Sequence, residues 1–167
     1  MIKDFDVIII GAGASGAAAA WNLSNTNLKI LCLEQGPILD PSSYSFLRKD
    51  WEVLKQNVFN SDPNIRKAEN DYPINNNKSC ISVANFNAVG GSTILYSGHF
   101  PRLHLTDFKT KSFDHVGKDW PIDYYDLEPF YKLNDKMMGV AGYEGDPAYP
   151  SIKNMMKPVE IGNSGKR

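Results

Sequence analysis

The six residues GAGASG at positions 11–16 constrain this chain more than any other feature. Residues 5–10, FDVIII, precede them directly and form a short, β-branched, apolar run. Such a run reads as a strand buried on both faces, as in a parallel sheet. AAAAWNLS follows at 17–24 and is a strong helix former. Asn25, Thr26 and Asn27 make a polar turn, and residues 28–34, LKILCLE, form a second apolar strand that Gln35, Gly36 and Pro37 end. Strand, helix and strand within about thirty residues is a βαβ unit.

Each glycine has a distinct task in that setting. Gly11 permits the tight turn, Gly13 lets the backbone approach a pyrophosphate, and Gly16 lets the helix pack closely on the strand. The helix start, with Ala14, Ser15 and Gly16, presents free N–H groups and a positive dipole end to phosphates. Glu34 closes the second strand a little over twenty residues after Gly11, with Gln35 beside it. An acidic side chain there accepts hydrogen bonds from a ribose 2′-hydroxyl and disfavours the 2′-phosphate of NADP. FAD and NAD share the adenosine diphosphate part that this unit holds, so the unit alone leaves both open. The competing reading is a glycine-rich turn without a ligand.

The chain's 167 residues suffice for a domain with a core. A net charge of −1 and the absence of any long single-sign run give no electrostatic drive toward nucleic acid. Cys32 and Cys80 are the two cysteines, and they build neither a zinc spacing nor a disulfide framework. Cys32 lies within the second strand, where a buried thiol is expected. The apolar run at 5–23 is long enough to suggest a targeting or membrane segment. However, Asp4 and Asp6 offset Lys3, so it has no basic leader, and glycines interrupt it. A cytoplasmic protein without a transmembrane segment is expected.

Further along, Leu47, Trp51, Leu54 and Val58 share one face of a helix expected over about 43–59. Residues 60–79 are rich in Asn, Asp, Pro and Lys and read as a long surface loop with little regular structure. Residues 120–142 form another organised segment, with Pro129 placed at the first position of a helix, Asp126 or Glu128 near its start, and Gly139 as its stop. Residues 143–167 read as a polar tail. No internal repeat is present.

A second glycine site, AVGGSTILYSG at 88–98, lies well beyond the first. Adjacent glycines allow close backbone approach, and the Ser and Thr that follow offer hydroxyl and N–H groups. Three parts of the chain together resemble the glucose–methanol–choline (GMC) oxidoreductases, which are FAD-dependent alcohol-oxidising enzymes. They are DVIIIGAGASGAAAAWNL with LCLEQGP, then NAVGGSTILYSGHFPR, then DWPIDYYDLEPFY with KMMGVAG. The third part resembles the branch that contains pyranose oxidase and membrane-linked sugar-acid dehydrogenases.

The resemblance implies a partial Rossmann-type FAD-binding domain of α/β class, with long loops and additional helices. It places Gly90, Gly91, Ser92, Thr93 and Tyr96 along the flavin side of an extended FAD. Some family members carry a flavin-linked His where this chain has Leu95, so a non-covalent FAD is implied. Many have Asn where this chain has Tyr96, which either packs on the flavin or fills core. The segment also departs from the family at Phe86 and Asn87, ahead of the glycine pair.

The resemblance further implies hydride transfer from the CH–OH group of an alcohol, sugar or sugar acid to flavin N5. The histidine base for that step is expected in a C-terminal part outside these residues. His99, His104 and His115 match no catalytic position of the family and are expected to be surface or structural. Residues 1–142 are expected to be the N-terminal part of the FAD-binding domain, including the start of a lid or substrate region. As a fragment, the chain alone is expected to be inactive. The electron acceptor stays open. Two alternatives remain: a piece of another two-dinucleotide flavoprotein, of amine oxidase or hydroxylase type, and a non-catalytic nucleotide-binding module.

Overall fold

The computed structural model describes residues 4–44, 48–71, 74–153, 155–160 and 162. The chain divides into two compact units, Met1–Gly98 and His99–Arg167.

The first unit opens with the expected βαβ arrangement. Strand β1 (Val7–Ile10), helix α1 (Ala14–Leu23) and strand β2 (Ile30–Leu33) follow in order. The two strands pair in parallel, with Val7 opposite Ile30 and Ile10 opposite Leu33. A parallel pair needs a crossover, and α1 supplies it. Ile9 is buried on the α1 side, where its Cγ2 lies close to Gly16.

The other face differs from expectation. Ile8 is 57% exposed and Ile10 is 87% exposed, because α1 covers one face only. Cys32 is exposed as well, against the expected burial. It aligns with Ile9 across the pair, and two strands with one helix do not enclose it.

The helix expected over 43–59 is shorter and broken. A 3-10 turn occupies Pro41–Tyr44 and α2 spans Trp51–Gln56, while Leu47 lies outside the described residues. The chain leaves helical geometry at Asn57, and the Phe59 N–H donates to the Leu54 carbonyl. That turn swings Phe59 inward and leaves Val58 exposed, which corrects the expected stripe. Phe59 becomes the centre of an aromatic cluster with Trp51 at 5.4 Å, Phe86 stacked at 5.6 Å and Tyr44 at 6.3 Å. Such ring pairs add about 0.5–1.5 kcal/mol each beyond their area burial.

The described residues of the 60–79 stretch are more ordered than its composition suggests. It contains α3 (Pro63–Arg66), capped by the Asp62 side chain with Pro63 at its start. Arg66 and Asp71 form an ion pair at 2.6 Å whose side chains are 2% and 5% exposed.

In the second unit, a 3-10 turn at Leu105–Lys109 leads into α4 (Thr110–Asp114), and α5 spans Tyr124–Met138. Helix α5 begins five residues before Pro129, so Pro129 lies inside the helix and not at its first position. The reason is a capping box: the Asp123 carboxylate accepts from the N–H groups of Tyr125 and Asp126, and Asp126 accepts from the Asp123 N–H. Gly139 ends the helix in left-handed geometry, as expected. The core here is Phe108 and Tyr124 with the buried pair Arg102 and Asp135. The tail at 143–160 is mostly irregular, but Met156 bridges Ala141 in parallel.

Candidate nucleotide site

The first glycine loop is built as its spacing requires. Gly11 has φ +93°, a conformation few side chains tolerate, and its N–H donates to the Leu33 carbonyl at 2.7 Å. A Cβ on Gly16 would overlap the Gly11 carbonyl oxygen, so only glycine lets α1 sit this close to the end of β1. Gly13 is different. Its backbone is ordinary, φ −77°, and nothing lies within 4 Å of where its Cβ would stand.

Helix α1 starts at that open spot. No side chain caps it and no acidic residue occupies its first turn. The N–H groups of Ala14, Ser15 and Gly16 have no acceptor within the helix. Free donors, a positive dipole end and a cradle without a Cβ together fit a pyrophosphate. The residues present thus suit the phosphate part of a dinucleotide.

Glu34 has a structural task that its spacing alone does not reveal. Its Oε1 accepts from the Gly36 N–H at 2.8 Å and its Oε2 from the Ala12 N–H at 2.6 Å. The N–H of Gly36, then that of Ala12, hold its carboxyl below the usual carboxylate range. The group is therefore an anion at neutral pH. A carboxylate has about four acceptor sites, so lone pairs remain for a ribose hydroxyl. Because its pKa is depressed, Glu34 supports the folded loop above the unfolded-state pKa. That support fades as pH falls through the lower folded value. An acid titration followed by circular dichroism is expected to show loop loosening only below about pH 4.

The second glycine segment meets the first. The Gly90 N–H donates to the Ala12 carbonyl at 2.8 Å, and the Val89 N–H donates to that of Pro37 at 3.0 Å. A Cβ on Gly91 would lie 3.4 Å from Gly13 Cα. Gly90 has φ +96°, which turns the chain into a 3-10 turn at Gly91–Ile94. Ala88 is 1% exposed, wedged against Gly36. A Cβ on Gly36 would fall on the backbone of Asn87 and Ala88. Gly36 is a contact residue that spacing analysis missed. Its signal is a glycine placed just after the strand-ending Glu34.

The hydroxyls of this segment are partly engaged. Thr93 Oγ1 donates to the Gly90 carbonyl at 2.6 Å, and Ser92 Oγ accepts from the Phe86 N–H at 3.1 Å. Gln35 turns its amide to the Asn70 carbonyl at 3.2 Å. Tyr96 is half exposed, and Leu95 beside it is half-buried. In the second unit, His104 stacks on Tyr149 at 4.3 Å and its Nδ1 meets the Ala148 carbonyl at 3.0 Å. His99 and His115 are exposed. Among the described residues no helix is long and apolar enough to cross a membrane.

A family profile described as an NAD(P)-binding Rossmann-like domain matches residues 9–70. The chain is 38% identical over 166 residues to 2-methyl-1,2-propanediol dehydrogenase of Mycolicibacterium austroafricanum, an alignment covering 96% of this chain. It is 30% identical to the fructose dehydrogenase large subunit of Gluconobacter japonicus over 87% of its length. It is 25% identical to the gluconate 2-dehydrogenase flavoprotein of Pantoea cypripedii over 84%. The chain spans 29%, 29% and 26% of those relatives, under a third of each. Its fold is Rossmann-like, with a parallel βαβ unit, and the relatives it is similar to are named as dehydrogenases and oxidases.

Proposed function

We propose that this chain holds FAD, non-covalently, as part of a GMC-type oxidoreductase acting on CH–OH groups of alcohols, sugars or sugar acids. The observation that carries the reading is the meeting of the two glycine segments, Gly90 against Ala12 and Gly91 beside Gly13. A dinucleotide lying on the first loop runs past the second, so one ligand is served by both. The α1 N-terminus, with Gly11, Gly13, Ala14, Ser15 and Gly16, takes the pyrophosphate. Glu34 takes the ribose, with Gln35 beside it. Gly90, Gly91, Ser92 and Thr93 line the flavin side, where Tyr96 is also placed. Bound FAD supplies the hydride acceptor; these residues bind it, orient it and keep its phosphates neutralised. Leu95 supplies no nucleophile for a covalent link.

Titration of the chain with FAD, NAD and NADP, followed by flavin fluorescence and calorimetry, tests this. FAD is expected to bind most tightly, to be released intact by acid precipitation, and NADP to bind least. Tighter binding of NAD than of FAD replaces this reading with a nicotinamide one, which the matching family description favours. Gly13→Ala is expected to leave the melting temperature unchanged, since its Cβ enters open space. The same change is expected to weaken FAD about tenfold or more, the effect of about 1.4 kcal/mol. Equal FAD affinity in that variant removes Gly13 from the site.

A further inference from the structure

Residues 60–71 do more than cross the surface. Arg66 grips Asp71 with both sides of its fork, Nε to Oδ2 at 2.9 Å and Nη2 to Oδ1 at 2.6 Å. Its remaining nitrogen, Nη1, donates to the carbonyls of Asn60 at 2.6 Å and Asn85 at 3.0 Å. The guanidinium lies 4.6 Å from the Phe86 ring, which it covers. The adjacent Asn70 carbonyl accepts from two side chains. One is Asn87 at 2.5 Å and the other is Gln35, at the end of β2, at 3.2 Å. The Asn85 N–H reaches the Ser61 carbonyl at 2.9 Å.

Apart from the Arg66–Asp71 pair and the Arg66 bond to the Asn60 carbonyl, these contacts end on residues 85–87 or on Gln35, just after β2. Residues 85–87 lead directly into Ala88 and the Gly90–Gly91 turn. The Phe86 N–H itself holds Ser92 Oγ. A cavity of about 170 Å³ opens beside Asp71, Asn85 and Asn87. Packing alone therefore does not hold this side of the segment, and its hydrogen bonds set its place.

Resting on the FAD reading above, we propose that Arg66, Asp71 and the Asn70 carbonyl are positioning groups for the second glycine segment. They fix it relative to the first loop at the spacing an extended dinucleotide needs. Asp71 is suited to this as an anion at neutral pH, because the hydrogen bonds from Arg66 hold its carboxyl below the usual range. Arg66 is suited because a planar fork can hold one carboxylate and still reach two carbonyls.

The test separates the two ends of the ligand. ADP occupies only the first loop and Glu34, whereas FAD spans both segments. The full chain is titrated with ADP and with FAD, and the visible circular dichroism of bound flavin is recorded. In Asp71→Asn, FAD affinity is expected to fall tenfold or more, ADP affinity to stay within twofold, and the flavin band to weaken. Asn87→Ala removes an exposed bond and strands no buried charge. It is expected to lower the FAD-to-ADP affinity ratio about threefold. If Asp71→Asn does not fold, the ratio in Asn87→Ala decides. An unchanged ratio, or parallel loss of ADP and FAD, assigns these groups a purely structural part and overturns the proposal. An unmodified chain that binds ADP but gains nothing from the flavin end overturns the FAD reading itself, and the positioning role with it.

Discussion

Gly36→Ala is expected to lower the thermal midpoint of the chain by about 12 °C or more and to abolish FAD binding. The new methyl would coincide with the backbone N and Cα of Ala88 and the carbonyl carbon of Asn87. None of these atoms can swing aside as the end of a side chain can. Either the turn after β2 or residues 87–88 must move. The move breaks the Gly36 N–H bond to Glu34 and the Val89 N–H bond to Pro37. Overpacking in a filled interior costs about 1–3 kcal/mol and more where backbone blocks relief. A cost near 3 kcal/mol corresponds to that shift in a unit of this size. Thermal melting by circular dichroism beside a FAD titration reads both effects. Gly13→Ala, whose methyl meets nothing, is the internal contrast. Equal melting of the two variants would show that Gly36 and Ala88 do not pack as described.

The parts of this structure that are legible in the sequence are those decided by local chemistry. GAGASG between an apolar run and an alanine-rich helix fixes a strand, a turn and a helix start within a few residues. The need for glycine at 11 follows from its positive φ, and at 16 from what a Cβ would meet there. Gly139 is legible as a helix stop for the same reason. Position-specific partners are less so. Glu34 is legible as an acid closing the second strand, but its hold on the Ala12 and Gly36 N–H groups depends on a turn that brings residues 12 and 36 together.

Long-range packing decides the rest. Val58 fits a helical stripe on spacing, yet Phe59 is the buried residue, because the helix breaks at Asn57 and an aromatic cluster draws the next ring inward. Pro129 looks like a helix start because proline suits that position. The Asp123–Asp126 box, also written in the sequence, starts the helix earlier and carries it through the proline. The ordered clip at 60–71 hides behind a loop-like composition, since its order comes from a buried ion pair joining residues five apart. Ile8 and Ile10 read as buried because parallel strands are covered on both faces, and here one helix covers one face. Cys32 shares the face of Ile9, but two strands and one helix do not enclose it.

Asp135→Ala is expected to destabilise the second unit by about 3–5 kcal/mol, because it leaves a buried guanidinium without its anion. Arg102 donates from Nη2 to Asp135 Oδ2 at 2.6 Å and from Nε at 3.2 Å, while Nη1 donates to the Tyr124 hydroxyl at 2.8 Å. The Arg102 and Asp135 side chains are 4% and 8% exposed, so water does not replace a lost partner. Arg102 also faces the Tyr131 ring at 5.3 Å, and α5 carries Tyr124, Tyr131 and Asp135 together. One cation thus ties the residues before the 3-10 turn to three places along the helix. The charge itself is not what the fold requires. Replacing Arg102, Asp135 and Tyr124 together by Met, Leu and Phe removes the polar side-chain groups of this buried network at once. That triple variant is expected to be close to the parent in stability, or above it, as buried ion pairs exchanged for apolar packing often are. Amide hydrogen exchange along Tyr124–Met138 and near-ultraviolet dichroism of the tyrosines distinguish the cases. Protection in the triple variant with loss in Asp135→Ala locates the cost in the stranded cation. Equal loss in both would mean that the pair contributes net stability and is not merely satisfied.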